Sequence, residues 1–403
     1  MKYTFWTLVI WAILAFTSCI NGHGDSKENE PAFGWRTTGL KPNADELNTI
    51  GTGIQKITHV GNRLFAMDAR VTATGKKNFQ MFTTLQGDST WDTLWLPNRV
   101  SPYCWYTDSI YLYVGTDLTG QVWRYDPKNN SWVDLLTNAD SLFRVYSISE
   151  FKGHIIASLS SGWDTTKSPV LILQDNGKWL DINSKQLFAA NAFHKGIEFN
   201  NVFYASTYDQ GVWYWTPTDS TWHQLSNPPR SDVGGTAINA YPRGMAVFEN
   251  ELYIGYWNGG GIQKYLGNDS WLRVDSMFLD SLKNLKTTTA SDIYSLATGG
   301  GHLFSAGYYS SNPTVYTGAT EPKGWRKISR ATYCPADSFQ CLGTNVSDMD
   351  IVNDTLYAAA WDALLKFPLS DLDSGIIGAP AYPVGSSTTS LAKKIKNGNA
   401  NAK

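Results

Sequence analysis

The chain has 403 residues, a formal net charge of −2 and 17% charged residues, below the roughly 25% of an average globular chain. So small a net charge does not argue for nucleic acid or a charged membrane surface as partner. Aromatics reach 14%, with 17 Trp, 21 Tyr and 35 Gly, which points to an all-β chain rich in turns, and such architectures often run long as one domain.

The first segment reads as a targeting signal. Lys2 is the only charge ahead of FWTLVIWAILAF (Phe5 to Phe16), an apolar run too short to span a bilayer comfortably. Residues 1–18 are therefore set apart from the fold as a signal peptide. Thr17 and Ser18 ahead of Cys19 resemble a bacterial lipobox. The resemblance implies cleavage before Cys19 and diacylation of its thiol, although Phe16 stands where that family prefers Leu. An ordinary secretory signal, in which Cys19 has no role, is the alternative. Residues 19–32, with INGHGDSKENEP, then form a lipidated Cys and a flexible tether. The expected location is the bacterial cell envelope, periplasmic or surface side, with the lipid as the only membrane contact.

From Trp35 onward one phrase recurs: PAFGWRTT, GDSTWDTL, KNNSWVDL, DNGKWLDI, TDSTWHQL, GNDSWLRV and EPKGWRKI. These place Trp35, Trp91, Trp132, Trp179, Trp222, Trp271 and Trp325 at intervals of 41 to 56 residues, the period of four-stranded propeller blades. Between the tryptophans runs a second phrase, as in RLFAMD (Arg63 to Asp68), YLYVGTD (Tyr111 to Asp117), ELYIGYWN (Glu251 to Asn258) and TLYAAAWD (Thr355 to Asp362). Each follows a turn such as GN, KG, NN, EN or ND. A turn before alternating apolar residues is a hairpin. Ala66, Gly115, Ala157, Ala205, Gly255 and Ala359 recur within these strands, where neighbouring sheets must approach closely.

Each unit therefore has four strands, with the tryptophan phrase as the fourth. No tryptophan strand follows LLKFPL (Leu364 to Leu369), whereas Trp35 has no strands before it. The expected fold over residues 33–370 is an all-β, seven-bladed β-propeller. Its last blade is completed by the N-terminal strand, which removes the free sheet edge. VWRYDPKNNSW resembles the kelch repeat, with Tyr125, Asp126, Pro127 and Trp132 at the matching positions. The resemblance implies a kelch-like propeller and carries no functional residue across. Residues 371–403, rich in Gly, Ser, Ala and Asn, read as a disordered tail; LAKKIK within it is a basic interaction patch or simply solvated.

Cys334 and Cys341, in CPADSFQC, are expected to pair in an oxidising compartment. With no His or second Cys pair nearby, metal binding by these two is not supported. Cys104, in PYCWY, reads as a buried free thiol.

Two sets of residues could carry function. The loops after the second strands bring Asp68, Asp117, Trp163, Asp164, Tyr208, Asp209, Trp257, Asn258, Tyr308, Tyr309, Trp361 and Asp362 around one mouth. Aromatic faces stack on sugar rings and carboxylates accept from hydroxyls, so a glycan is a reasonable ligand; turn chemistry alone would also repeat these residues. The inner strands, aligned by their apolar positions, add Tyr146, Lys195, Arg243 and Tyr294. Two cations and two phenols could bind an anionic group, or bond backbone carbonyls and channel water.

Enzyme motifs are not found. The six His show no metal-ligand spacing, and no Ser-His-Asp arrangement is visible. TYDQGVW (Thr207 to Trp213) superficially fits the sialidase Asp-box but lies between second and third strands, where that box does not belong. The expectation is a monomeric, non-catalytic binding or scaffold module for carbohydrate or protein, without cofactor, metal or nucleic acid. The alternative is a glycan-active hydrolase or lyase with two facing carboxylates.

Overall fold

The computed structural model describes residues 36–38, 40, 53–71, 77–136, 143–160, 168–183, 192–207, 210–218, 220–225, 241–257, 261–274, 293–307, 310–316, 325–327, 346–360 and 364–373. Cys19 with its flanking segments, Cys334, Cys341 and residues 374–403 lie outside the described residues.

The strands form four-stranded antiparallel sheets, the blades of a β-propeller. In chain order the sheets are β2–β5 (Gly53–Val60, Arg63–Val71, Lys77–Leu85, Asp92–Leu94) and β6–β9 (Pro102–Thr107, Leu112–Thr116, Val122–Asp126, Ser131–Leu136). Next come β10–β13 (Arg144–Phe151, His154–Ser160, Val170–Leu173, Trp179–Asp181) and β14–β17 (Phe193–Phe199, Val202–Thr207, Val212–Thr216, Thr221–Gln224). Then follow β18–β21 (Tyr241–Phe248, Glu251–Trp257, Gly261–Gly267, Ser270–Arg273) and β22–β25 (Ile293–Gly299, His302–Gly307, Ser310–Tyr316, Trp325–Lys327). The last sheet has β26–β28 (Val346–Val352, Thr355–Ala360, Leu364–Pro368), and its fourth member is β1 (Arg36–Thr37). Arg36 lies opposite Lys366, and Thr37 opposite Leu365.

The turns between first and second strands explain the Asn, Asp and Gly dipeptides. Asn200–Asn201, Glu249–Asn250, Asn353–Asp354, Lys152–Gly153 and Gly300–Gly301 have both residues at positive φ, as a tight hairpin turn whose twist suits the flanking strands requires. The kelch-like phrase is the outer hairpin of the second sheet. Asp126 accepts from the Lys128 and Asn129 amides at 2.9 and 3.2 Å and from the Asn129 side chain at 2.7 Å. Tyr125 donates to Asn130 Oδ1 at 2.8 Å and packs on Trp132, ring centroids 4.8 Å apart.

Three of the repeated tryptophans join one sheet to the next. Trp179 Nε1 donates to Leu135 O at 2.6 Å, Trp222 Nε1 to Ile182 O at 3.2 Å, and Trp91 Nε1 to Thr38 O at 3.2 Å. Each acceptor stands three residues after the tryptophan of the preceding phrase: 132 and 135, 179 and 182, 35 and 38. An indole buries a large apolar ring while its N–H finds a partner. At the inner edge small polar groups do the same work. Ser147 donates to His194 O at 3.0 Å, Cys104 to Val145 O at 3.2 Å, and the Gly196 amide donates to Ser149 Oγ at 3.0 Å. Cys104 is a buried free thiol, as its setting in an apolar strand suggests.

The core lies between sheets. One apolar cluster joins the first and last sheets through Ile54, Ile57, Leu64 and Ala66 against Val352, Tyr357, Ala359 and Leu364, with Leu40. The small residues sit where the approach is tightest. A Cβ on Gly115 would meet Val145 Cγ1 at 2.5 Å, and one on Gly255 would meet Ile293 Cγ2 at 2.3 Å. The fold extends past residue 370. Leu369–Asp373 form a 3-10 turn, with Leu372 and Leu369 buried in the apolar cluster that contains Phe304, and Asp371 buried as well. The first residues assigned to the tail thus belong to the core, because Leu372 still has apolar surface to cover.

Candidate functional site

Each innermost strand carries a β-bulge near its start. The register shifts fall at Gln55, Tyr103, Tyr146, His194, Arg243, Tyr294 and Ser347. A bulge adds one residue to one strand, leaves it out of the ladder and re-aims its side chain. All these residues line one cavity of about 240 Å³, together with Lys56, Lys195, Gly244, Ser295 and Asp348, which follow directly after five of the bulges. Each inner strand thus offers the cavity its bulged residue, and several offer the next one too.

The bulged residues build an aromatic arc. Phe79 and Tyr103 have ring centroids 5.7 Å apart, Tyr103 and Tyr146 5.4 Å, Tyr146 and His194 5.2 Å. His194 Nδ1 then meets Arg243 Nη1 at 3.0 Å, and the Arg243 guanidinium lies 5.2 Å from the Tyr294 ring and 5.5 Å from that of Trp257. A guanidinium only donates, so Nδ1 is the acceptor and the proton sits on Nε2. Burial, then the charges of Arg243 and Lys56, hold His194 well below the usual histidine range. It is neutral at physiological pH.

Behind the arc lie Lys56, Lys195 and Asp348. Asp348 Oδ2 accepts from the Ile57 amide at 3.3 Å and Oδ1 from Ser295 Oγ at 3.2 Å. Burial raises its carboxyl above the ordinary value, against the pull of Lys56 and Lys195. Burial lowers the Lys195 ammonium, against the field of Asp348. Further along the inner strands the character reverses. There His59 meets Asp350 at 2.7 Å and Tyr106 donates to Glu150 at 2.9 Å.

The structure therefore brings Lys195, Arg243, Tyr146 and Tyr294 together, but not in one layer. Alignment by apolar positions puts Lys195 level with Tyr146 and Arg243. The bulge gives that place to His194 and moves Lys195 one residue on. Of the loop residues, Trp257 stands in the arc, half-buried against Tyr241 and Tyr294. Asp68 is fully buried, and Asp117 holds Arg144 Nε at 2.6 Å while that guanidinium covers Tyr103 at 4.3 Å. Trp163, Asp164, Tyr208, Asp209, Asn258, Tyr308, Tyr309, Trp361 and Asp362 lie outside the described residues. Thr207 in the Asp-box-like phrase serves its own turn, donating to Gly211 O at 2.7 Å and accepting from the Gln210 amide at 3.1 Å.

Sequence reasoning missed Gln55, Lys56, Tyr103, His194, Ser347 and Asp348. A signal was present: each bulged residue stands six positions before the first residue of its hairpin turn, as Gln55 before Gly61, His194 before Asn200 and Arg243 before Glu249. Among the described residues no group of three metal-ligating side chains occurs, and no helix is long and apolar enough to cross a membrane.

No family model and no curated protein matches the chain. Solved structures do match in fold. The chain is similar to the extracellular domain of the one component system BT4673 from B. thetaiotaomicron, at TM-score 0.55 and 14% identity over 83% of this chain; it spans 39% of the length of that one. It is similar to a catalytically inactive virginiamycin B lyase from Staphylococcus aureus with Quinupristin, at TM-score 0.54 and 12% identity over 82% of this chain and 98% of that. The extracellular domain of BT3049, also from B. thetaiotaomicron, gives TM-score 0.51 and 11% identity over 79% and 40%. Identities this low speak for the β-propeller fold alone.

Proposed function

We propose that the chain is a non-catalytic binding propeller of the bacterial cell envelope, which takes a carbohydrate or protein ligand at the face bearing the bulged cavity. The observation that carries this reading is the convergence of Gln55, Tyr103, Tyr146, His194, Arg243, Tyr294 and Ser347, one from each inner strand, on one cavity. A repeat architecture does not need its channel lined by different polar and aromatic side chains; recognition of an asymmetric ligand does. The cavity is smaller than the roughly 300 Å³ at which pockets for whole small molecules begin, so it suits one group of a larger ligand. Similarity to extracellular domains of two B. thetaiotaomicron systems agrees with a sensing or binding role outside the cytoplasm. The hydrolase or lyase alternative needs two facing carboxylates, and Asp348 is the one carboxylate lining the cavity among the described residues.

The architecture completing this reading is a ring of seven kelch-like blades, closed by β1 as the fourth strand beside β28. It is supported by the Arg36–Lys366 register and the Trp91–Thr38 bond. The chain is a monomer, exported by its signal peptide and anchored through lipid on Cys19. Glycan-array binding and pull-down from envelope extract test the ligand reading; both coming back empty for the intact protein, or binding unchanged in Tyr146→Ala and Arg243→Ala, would sink it. Detergent-phase partitioning lost in Cys19→Ala would support the anchor.

A further inference from the structure

Among the described residues the cavity holds three cations, Lys56, Lys195 and Arg243, against one carboxylate, Asp348. Arg243 is engaged by His194 and by the Tyr294 and Trp257 rings. The lysines differ. Among the described residues neither ammonium makes a hydrogen bond or an ion pair, and Asp348 and, more weakly, Asp350 act on Lys195 only through space. Each Asp348 oxygen accepts one hydrogen bond, from Ile57 and from Ser295. His194, held neutral beside Arg243, contributes no countercharge. Two ammonium groups, with six N–H donors between them, therefore line one cavity in excess of its carboxylate among the described residues. Burial makes the Lys195 charge costly unless an opposite charge meets it.

We propose that the cavity is an oxyanion site, in which Lys56 and Lys195 receive a carboxylate carried on a sugar ring, an acidic carbohydrate, and the aromatic arc at Tyr146 and Tyr294 takes the face of that ring. This deepens the binding reading above and rests on it. A carboxylate accepts from both ammonium groups at once. Aromatic rings supply the apolar contact a sugar face needs. A sulfate or phosphate group shares the oxyanion chemistry.

The test uses the full-length protein, with a uronic acid hexasaccharide, its methyl ester, and inorganic sulfate and phosphate as probes, at constant ionic strength with chloride as reference. Thermal unfolding and titration calorimetry are read together. The uronate should stabilise saturably, as binding to the native state alone requires. The methyl ester should bind at least about tenfold more weakly, since it loses its charge. Lys56→Met and Lys195→Met should each weaken uronate binding by a similar factor. The proposal is overturned if ester and acid bind alike, or if none of the anions stabilises saturably. It is equally overturned if both Lys→Met variants leave uronate binding unchanged. The failures are separable. If neutral glycans bind through Tyr146 without regard to the lysines, the binding reading stands and the oxyanion site falls. If sulfate or phosphate saturates through the lysines while no glycan binds, the oxyanion chemistry stands, its source is a free anion, and the carbohydrate reading falls.

Discussion

Replacing Trp179 or Trp91 by Phe removes one N–H and keeps most of an aromatic ring in the same groove. At Trp179 the lost bond is 2.6 Å long and ends on Leu135 O; at Trp91 it is 3.2 Å long and ends on Thr38 O. A hydrogen bond of this kind contributes about 0.5–1.5 kcal/mol net, and a carbonyl left short of a donor adds to the loss. About 1–2 kcal/mol is expected at each position. With an unfolding entropy of about 2.1 cal/mol/K per residue over a domain of this size, that is a fall in midpoint of about 1.5–3 °C. The two sites ask different questions. Trp179 reaches a sheet neighbouring in sequence, whereas Trp91 reaches back across 53 residues to the chain that follows β1. Urea titration followed by tryptophan fluorescence and circular dichroism, on the wild type and both variants, gives the comparison. Equal losses place Thr38 where Leu135 and Ile182 stand in their own sheets, and with it the N-terminal strand as a working fourth strand. A silent Trp91→Phe beside a costly Trp179→Phe would refute the reasoning.

Gly255→Ala should destabilise by about 1–3 kcal/mol through overpacking, because the new Cβ would fall 2.3 Å from Ile293 Cγ2; in chemical denaturation the double variant with Ile293→Ala should lose less than the two single losses combined. His59 is raised above its ordinary 6.5 chiefly by its hydrogen bond to Asp350, with burial opposing and the Asp350 charge assisting. A raised folded-state value means the contribution is fully present below about pH 6.5 and disappears as pH rises through that higher value; Asp350→Asn should flatten the dependence of the urea midpoint on pH in that window. Burial pushes the Cys104 thiol up to about 12, and its hydrogen goes to Val145 O. Native protein at pH 8 should leave Cys104 unlabelled by iodoacetamide over hours, with labelling on unfolding, read by peptide mass spectrometry; fast native labelling would contradict the packing.

Much of the blade was legible because a repeated sheet repeats its physics. The tryptophan phrase marks the fourth strand since an indole can span a sheet seam and still donate to the neighbour's backbone. The Asn, Glu–Asn and Gly–Gly turns mark the first hairpin since both residues need positive φ. The small residues mark the seam since Val145 and Ile293 occupy the space that a Cβ would take. The site was legible only in part, and for a definite reason. Strand reading counts in twos, and a bulge adds one. At the fourth sheet that single residue exchanges the roles of His194 and Lys195: counted in twos, Lys195 falls level with Arg243, but the chain puts His194 there and sends the ammonium on to join Lys56 and Asp348. The consequence is chemical as well as geometric. One layer becomes a neutral aromatic arc with a guanidinium engaged within it, and the next gathers two lysines near a carboxylate whose oxygens each accept one hydrogen bond, from Ile57 and Ser295. Counting six residues back from each hairpin turn recovers that layering without coordinates. It works because the turn fixes the register at the far end of the strand, and every inner strand bulges at the same distance from it.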